Sequence, residues 1–246
     1  MTKQEEMSIL DHLDELRKGL IFCLLAVLVC SALAYIKAPE IIGLLKAPLG
    51  DIDLVFITPA EGFMTRIKAA FFGGIVFASP LIFLQTMLFI APALYKKEKI
   101  ILFSCLPFVI LFFGSGIVFS FQFLMPMTLQ YLLSFGDGLM EPMLSASKYF
   151  SFVMGFTLGL GLVFELPMVL LMLSRFGIVD YRLLAKNRKY MILLIAVLSA
   201  VITPPDAVSQ LAVALPLLFL FELSLGLMFI FHKITQRRSI KANEEL

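Results

Sequence analysis

Two glutamates stand inside long apolar runs of this 246-residue chain, where an ionised carboxylate is costly. Glu165 follows Phe164 in one run, and Glu222 follows Phe221 in another. A carboxylate near the centre of a bilayer costs several kcal/mol unless it is protonated, paired or hydrated. Each glutamate is therefore a candidate proton carrier, and the ordinary alternative for each is a protonated carboxyl hydrogen-bonded to a neighbouring helix.

A second group of chemically capable residues follows the second apolar run. Phe89, Pro92, Tyr95 and Glu98 fall within one short segment that also carries three lysines. The Ala-Pro-Ala sequence around Pro92 favours a rigid turn, because the proline ring fixes φ. Taken alone, Glu98 is most simply a solvated residue that forms salt bridges with the neighbouring lysines.

Catalytic chemistry finds little support in the sequence. The two histidines, His12 and His232, both stand beside apolar runs, so neither can act as a base for a serine such as Ser115 inside a run. There is no His-Glu-x-x-His motif and no glycine-rich phosphate loop. The three cysteines lie within apolar runs at spacings that suit neither a metal nor a disulfide framework. We therefore predict no enzyme activity, no metal, no cofactor and, with a net charge of only +2, no nucleic-acid partner.

The elements that carry these residues are predicted to be membrane-spanning helices. Hydrophobic residues make up 60% of the chain and its mean hydropathy is +0.97, well beyond a soluble domain. About 20 helical residues cross a hydrocarbon core. The sequence predicts six spans, at residues 20–36, 69–90, 100–125, 150–173, 190–202 and 211–231. The fifth is short because it meets Thr203-Pro204-Pro205.

The predicted fold class is an all-α membrane protein forming a single integral membrane domain over residues 1–246. Prolines within the spans predict kinked helices in a curved, cupped arrangement, with short helices 5 and 6. Residues 1–19 are predicted to form a cytosolic amphipathic helix and 232–246 a cytosolic tail. Two long loops, 37–68 and 126–148, are too long for bare connectors and are predicted to form a small structured cap.

The distribution of positive charge predicts the orientation. Of the 20 Lys and Arg residues, 15 lie at the two ends and in two alternate loops, around 96–99 and 175–189. The other loops hold five: Lys37, Lys46, Arg66, Lys68 and Lys148. Because basic residues concentrate in cytoplasmic loops, both termini and the segments 92–99 and 174–189 are predicted to be cytosolic. Residues 38–66 and 127–147 are predicted to face outwards.

Short motifs along nearly the whole chain resemble those of one family. The segment from Phe89 to Glu98 closely resembles the Phe-Ile-x-Pro-Ala-Leu-Tyr-x-x-Glu signature of the TatC family, the multi-span receptor of the twin-arginine protein translocase. Other matches follow in family order: His12-Leu13-Asp14-Glu15-Leu16-Arg17, Ala47-Pro48-Leu49, Ala78-Ser79-Pro80, Ser151-Phe152-Val153, Phe164-Glu165-Leu166-Pro167, Thr203-Pro204-Pro205-Asp206, Ala214-Leu215-Pro216 and Phe221-Glu222. The chain departs from the family in having Leu84, Met87 and Lys99 where aromatic residues and Arg are usual, and in lacking Trp.

The resemblance implies a multi-pass protein of the bacterial cytoplasmic (inner) membrane. Such a protein binds signal peptides that carry two consecutive arginines, and it exports folded proteins with the energy of the proton gradient. The implied partners are single-span subunits of the TatA and TatB type, in an oligomeric complex. The resemblance also assigns three groups of residues: signal-peptide binding to Phe89, Glu98, Glu15, Leu16, Arg17 and Tyr95; partner docking to Thr203, Gln210 and Asp206; and structural roles to Pro48, Pro80 and Pro92. It leaves Glu165 and Glu222 as polar features within the membrane.

The chemistry of the cytosolic residues agrees with this expectation. A guanidinium group pairs best with a planar carboxylate, which Glu15 and Glu98 supply, and Phe89 offers an apolar or cation–π contact beside them. The alternative function is a proton-coupled small-solute transporter that uses Glu165 and Glu222.

Overall fold

A computed structural model describes residues 9–50, 52–136 and 142–244 of the chain, and these residues are mostly helical. In chain order the α-helices are α1 (Ile9–Ile36), α2 (Ala38–Lys46), α3 (Glu61–Ile90), α4 (Lys96–Phe119), α5 (Met125–Ser134), α6 (Ala146–Val163), α7 (Leu166–Arg175), α8 (Tyr181–Lys186), α9 (Arg188–Ile202) and α10 (Ala207–Glu244). The remaining elements are 3₁₀ turns at Ala47–Leu49 and Ala91–Ala93, a π-helical turn at Ser120–Leu124, and strands β1 (Leu54–Val55) and β2 (Leu144–Ser145).

The described residues form two compact units. Unit 1 contains the chain up to Ile110 together with Met143–Met154, and unit 2 contains Leu111–Pro142 together with the chain from Gly155 onwards. The prediction of one membrane domain over residues 1–246 stays a prediction.

In unit 1, α1 packs along α3 through small residues. A Cβ atom on Gly74 would lie 2.7 Å from the backbone nitrogen of Ser31, and one on Gly73 would lie 3.2 Å from the Cβ of Ala34. The first distance is too short for a larger side chain and the second is tight, so these glycines allow the two backbones to approach closely. The predicted amphipathic helix is continuous with the first span, because α1 runs unbroken from Ile9; residues 1–8 lie outside the described residues.

The described parts of the two long loops contain secondary structure, as predicted. The first contains α2, a 3₁₀ turn and β1, and β1 pairs in parallel with β2 from the second, with Leu54 opposite Leu144. The Tyr149 hydroxyl donates to the carbonyl oxygen of Leu45 at 3.0 Å and ties α6 to α2. The second loop is shorter than predicted, because the third span continues through the π-helical turn into α5 and ends at Ser134 rather than near residue 125.

The fourth span is interrupted where Glu165 stands. Helix α6 ends at Val163 and α7 begins at Leu166, with Pro167 in the first turn of α7. Proline lacks an amide donor and its ring clashes with the preceding turn, which explains an interruption at this position. In unit 2, α4 and α6 approach through glycines: a Cβ on Gly116 would lie 2.9 Å from the Cα of Gly161. Gly116 therefore allows these two helices to pack closely.

The last two helices differ from each other in length. Helix α9 has 15 residues, so the prediction of a short fifth helix ending near Ile202 is confirmed. Within the described residues, five other helical segments are long and apolar enough to cross a membrane. The prediction of a short sixth helix is wrong, because α10 runs for 38 residues from Ala207 to Glu244, well into the predicted tail. The sequence after the apolar run is charged but contains no proline or glycine that would break the helix.

Candidate functional site

A small cavity lies in unit 1 between the first turns of α1 and the last turns of α3. Its volume is about 190 Å³. It is lined by Glu15, Leu16, Gly19, Leu20, Cys23, Gln85, Thr86 and Phe89. Most of this surface is apolar, while Glu15 supplies a carboxylate and Gln85 an amide. The cavity therefore suits a group that combines a charged end with an apolar stem.

The ring of Phe89 is held on one face by His12. The two ring centroids are 4.4 Å apart and the planes differ by 16°, which is a stacked arrangement. Stacking and the half-buried position fix the orientation of the Phe89 ring, and only its other face and its edge remain for a ligand. This contact was not predicted, and the signal available for it was the place of His12 in the segment from His12 to Arg17.

Glu15 and Asp14, which are neighbours on α1, differ in whether their carboxylates have an ion-pair partner. Arg17 forms an ion pair with Asp14, at 3.4 Å between Nη2 and Oδ1. Within the described part of the chain Glu15 has neither an ion-pair partner nor a hydrogen bond, and its side chain is exposed. Glu15 can therefore accept a cation, whereas the carboxylate of Asp14 is already occupied.

Glu98 stands in the first turn of α4. Its Oε2 accepts a hydrogen bond from the backbone N–H of Tyr95 at 2.8 Å, so its side chain caps the helix in the manner of a capping box. The Tyr95 side chain itself is 69% exposed. An ionised carboxylate has about four acceptor sites, so this bond fixes the orientation of Glu98 and leaves room for a guanidinium group.

The structure thus brings together some of the residues that the sequence assigned to one pocket. Glu15, Leu16 and Phe89 line the same cavity, and Arg17 and Tyr95 lie on the flanking segments. Glu98 is not among the residues that line it. Gln85 was missed as a member of the site: its side chain packs against Gly19, where a Cβ would lie 2.7 Å from its Nε2. The spacing of Gln85 and Phe89, one helical turn apart, was the signal available.

Glu165 is buried in unit 2, with 5% of its surface exposed. It follows Phe164, whose ring packs against Phe119 at 5.4 Å between centroids. Among the described residues, neither Glu165 oxygen has a hydrogen-bond partner. An ionised carboxylate without a partner is costly in a buried position.

Glu222 has a charged partner. Its Oε2 lies 3.3 Å from Nη2 of Arg188, and each side chain is about half exposed, at 51% and 53%. Arg188 begins α9, and the sequence analysis counted it only as a loop cation. Glu222 therefore differs from Glu165 in both burial and pairing.

Thr203 and Gln210 lie on either side of the turn between α9 and α10, and both bond back to α9. The Thr203 hydroxyl donates to the carbonyl oxygen of Ser199 at 2.8 Å. The Gln210 Nε2 donates to the carbonyl oxygen of Ala196 at 3.0 Å. Asp206 caps α10 by accepting the Ser209 N–H at 2.7 Å, and its Oδ2 is buried with no partner among the described residues. The group thus retains mostly acceptor atoms.

The three prolines with predicted structural roles occupy helical positions. Pro48 and Pro92 are the second residues of the two 3₁₀ turns, within the first turn, where their missing amide is not needed. Pro80 lies inside α3, which continues through it.

Comparison with known proteins identifies relatives along most of the chain. A family model described as Sec-independent protein translocase protein (TatC) matches residues 11–216. A TatC protein of Carboxydothermus hydrogenoformans is 39% identical over 226 residues, which cover 91% of this chain and 93% of that protein. The TatCy protein of Bacillus subtilis is 34% identical over 226 residues, covering 91% of this chain and 89% of that protein.

A solved structure has the same fold. The crystal structure described as twin arginine translocase receptor TatC in DDM superposes with a TM-score of 0.80 and is 36% identical. The superposition covers 88% of this chain and 99% of that chain. Because that structure is a six-span membrane protein, the predicted all-α fold with six spans is confirmed.

Proposed function

Because this chain belongs to the TatC family of Sec-independent protein translocase proteins, we propose that its cavity between α1 and α3 receives the paired arginines of a twin-arginine signal peptide. The observation that carries the proposal is the placement of Glu15 and Phe89 on one small cavity. A solved relative is described as the twin arginine translocase receptor, which agrees with a receptor role.

The side chains suit a guanidinium group for three physical reasons. Glu15 is an exposed carboxylate without a described partner, so binding a cation does not require breaking an ion pair. Phe89 presents an aromatic surface whose orientation is fixed by His12, and a guanidinium stacks on such a surface. Glu98 lies in the first turn of the next helix, α4, where the Tyr95 N–H fixes its carboxylate, and it can bind the second arginine.

The proposed assembly includes single-span partners of the TatA and TatB type. The Thr203 hydroxyl and the Gln210 amide each already donate a hydrogen bond to a carbonyl oxygen of α9. A partner span that offers a hydroxyl or amide donor would therefore complement the acceptor oxygens that remain in this group. The complex would export folded proteins with the energy of the proton gradient, as a non-enzymatic transport subunit with both termini in the cytosol.

The transporter alternative is weaker because of Glu222. A proton carrier needs a carboxyl group that is not already committed to a fixed cation, whereas the Glu222 carboxylate lies 3.3 Å from the Arg188 guanidinium in an ion pair. Glu165 alone retains the environment of a candidate proton carrier.

Charge-changing substitutions test the receptor role. Glu15→Gln and Glu98→Gln keep size and polarity but remove the charge. Each lost charge-assisted contact is worth about 1.5–3 kcal/mol, so binding of a twin-arginine peptide should weaken about 10- to 150-fold. Glu98→Arg should weaken it further through repulsion. The measurement is crosslinking of a photoreactive signal peptide to the full chain in membranes, titrated with unlabelled peptide.

Asp14→Asn is the matched control, because Asp14 is a neighbouring acid on α1 that is already paired with Arg17. It should change peptide binding by less than threefold. If Glu15→Gln and both Glu98 variants bind the peptide as the unmodified protein does, the pocket lies elsewhere.

A further inference from the structure

A second and larger cavity lies in unit 1, beside the two short strands. Its volume is about 520 Å³, within the range of pockets that hold small ligands. It is formed by the end of α1, by α2, by the segment of β1, and by the first turns of α3 and α6. Aromatic rings and cations dominate its lining: Tyr35, Phe56, Phe63, Phe150, Lys46 and Arg66.

The walls of this cavity are tied together by hydrogen bonds. The Lys68 Nζ donates to the hydroxyl of Ser147 at 3.0 Å and to that of Ser151 at 2.8 Å, which joins α3 to α6. Pairing of β1 with β2 and the bond from Tyr149 to Leu45 hold the remaining sides. Contacts between secondary-structure elements therefore fix the walls of the cavity, and the cavity does not depend on the conformation of any one side chain.

The charge at the cavity is not balanced. Lys46 pairs with Asp53 at 3.2 Å. Arg66 is exposed and has no acidic partner among the described residues. The one acid on α3, Glu61, is engaged by the N–H of Ile57 at 3.3 Å and by the Ser145 hydroxyl. The Arg66 guanidinium thus remains available to an anion.

A buried hydroxyl adds to the polar side of the cavity. Thr65 lines it, is only 3% exposed, and its Oγ1 has no hydrogen-bond partner among the described residues. A buried hydroxyl without a partner is unfavourable. An oxygen-rich ligand, or a water held by one, would satisfy it.

The position of the cavity indicates where its occupant comes from. The candidate spans end at Ile36, begin at Glu61 and begin at Ala146, so the cavity lies where three spans meet the membrane boundary. Aromatic rings beside cations at this depth contact both the acyl chains and the headgroups of lipids. We propose that this cavity binds one anionic phospholipid, with its phosphate at Arg66 and Lys46 and its upper acyl chain against the aromatic rings.

The test is native mass spectrometry of the purified full chain in detergent. The chain is titrated separately with phosphatidylglycerol, with phosphatidylcholine of the same acyl chains, and with inorganic phosphate. Phosphatidylglycerol should bind tightest, and Arg66→Gln should weaken it about tenfold, as expected for one charge-assisted contact. Arg66→Lys and Lys46→Gln should have smaller effects in the same direction.

Lys148→Gln is the matched control, because Lys148 is an exposed cation in the same unit that does not line the cavity. It should leave lipid binding unchanged. Circular dichroism of each variant establishes that the helices are retained, and if Arg66→Gln unfolds, Lys46→Gln and Arg66→Lys carry the test.

Four results would overturn the proposal. The first is binding of phosphatidylcholine as tight as that of phosphatidylglycerol. The second is displacement of the lipid by millimolar phosphate, which would reduce the site to one for a free anion. The third is a loss of binding in Lys148→Gln as large as in the Arg66 and Lys46 substitutions, which would indicate general electrostatic attraction. The fourth is unchanged binding in both the Arg66 and the Lys46 substitutions.

Discussion

At the scale of single residues, the ion pair between Arg188 and Glu222 changes the interpretation of Glu222, which the sequence places inside an apolar run. Fourteen residues separate Arg188 from Ile202, and fifteen separate Ala207 from Glu222. At a rise of about 1.5 Å per residue, the Cα atoms of both residues lie about 21–23 Å along their helices from the turn that joins them. Glu222 therefore stands at the level where α9 begins, beside an arginine.

We predict that the Arg188–Glu222 pair contributes modestly to stability. Glu222→Gln leaves Arg188 without its partner and should lower the thermal unfolding midpoint in detergent by about 1–4 °C, as expected for a half-exposed ion pair. Arg188→Gln should have a similar effect, and the double substitution should be no worse than either single one. Lys189→Gln removes the neighbouring cation, and its effect on the unfolding midpoint should simply add to the effect of Glu222→Gln. Full additivity of the Arg188 and Glu222 substitutions would show that they do not interact.

The sequence allowed part of the candidate site to be predicted. Glu15 and Phe89 were assigned to one pocket, and the structure places both on one cavity. The stack of His12 on Phe89 could not be predicted, because it depends on the register with which α1 packs along α3. That register is set by Gly73 and Gly74, whose close contacts become visible only when both helices are placed.

At the scale of elements, the turn between α9 and α10 determines which side chains a partner span can reach. Val201 is 79% exposed and Leu211 is 60% exposed, whereas Ile202 packs against Gly159 of α6. We predict that single cysteines at Val201 and Leu211 form disulfides with cysteines in the span of a TatA- or TatB-type partner. Cysteine at Ile202 should do so much less, because the side chain at that position points towards α6.

Disulfide formation in membranes, followed by non-reducing electrophoresis, measures this difference. Cysteines at exposed positions of α1, such as Leu24 at 59% exposure, serve as the comparison. Crosslinks that form only from α1, or equally from Ile202 and Val201, would contradict docking at this turn.

Helix positions were more predictable than helix ends. Long apolar runs identified the spans, but the helical segment of the third span continues to Ser134 and α10 continues to Glu244, through segments that carry polar residues. Backbone hydrogen bonds continue in a helix as long as no residue breaks them, so a change in polarity does not mark an end. Interruptions occur at Pro167 and at Pro204, whereas α3, α4 and α10 continue through Pro80, Pro107 and Pro216.

At the scale of the whole molecule, the distribution of Lys and Arg predicts an orientation that remains to be tested. We predict that Asp53, whose side chain is 94% exposed, and Met143, 78% exposed, face outwards, while Lys97 faces the cytosol. In a chain with Cys23, Cys30 and Cys105 replaced, cysteines at Asp53 and Met143 should react with an impermeant maleimide in intact cells. Cysteine at Lys97 should react only after permeabilisation. The reverse pattern would place both termini outside, and it would remove the carboxylates Glu15 and Glu98 from the compartment in which a signal peptide is made.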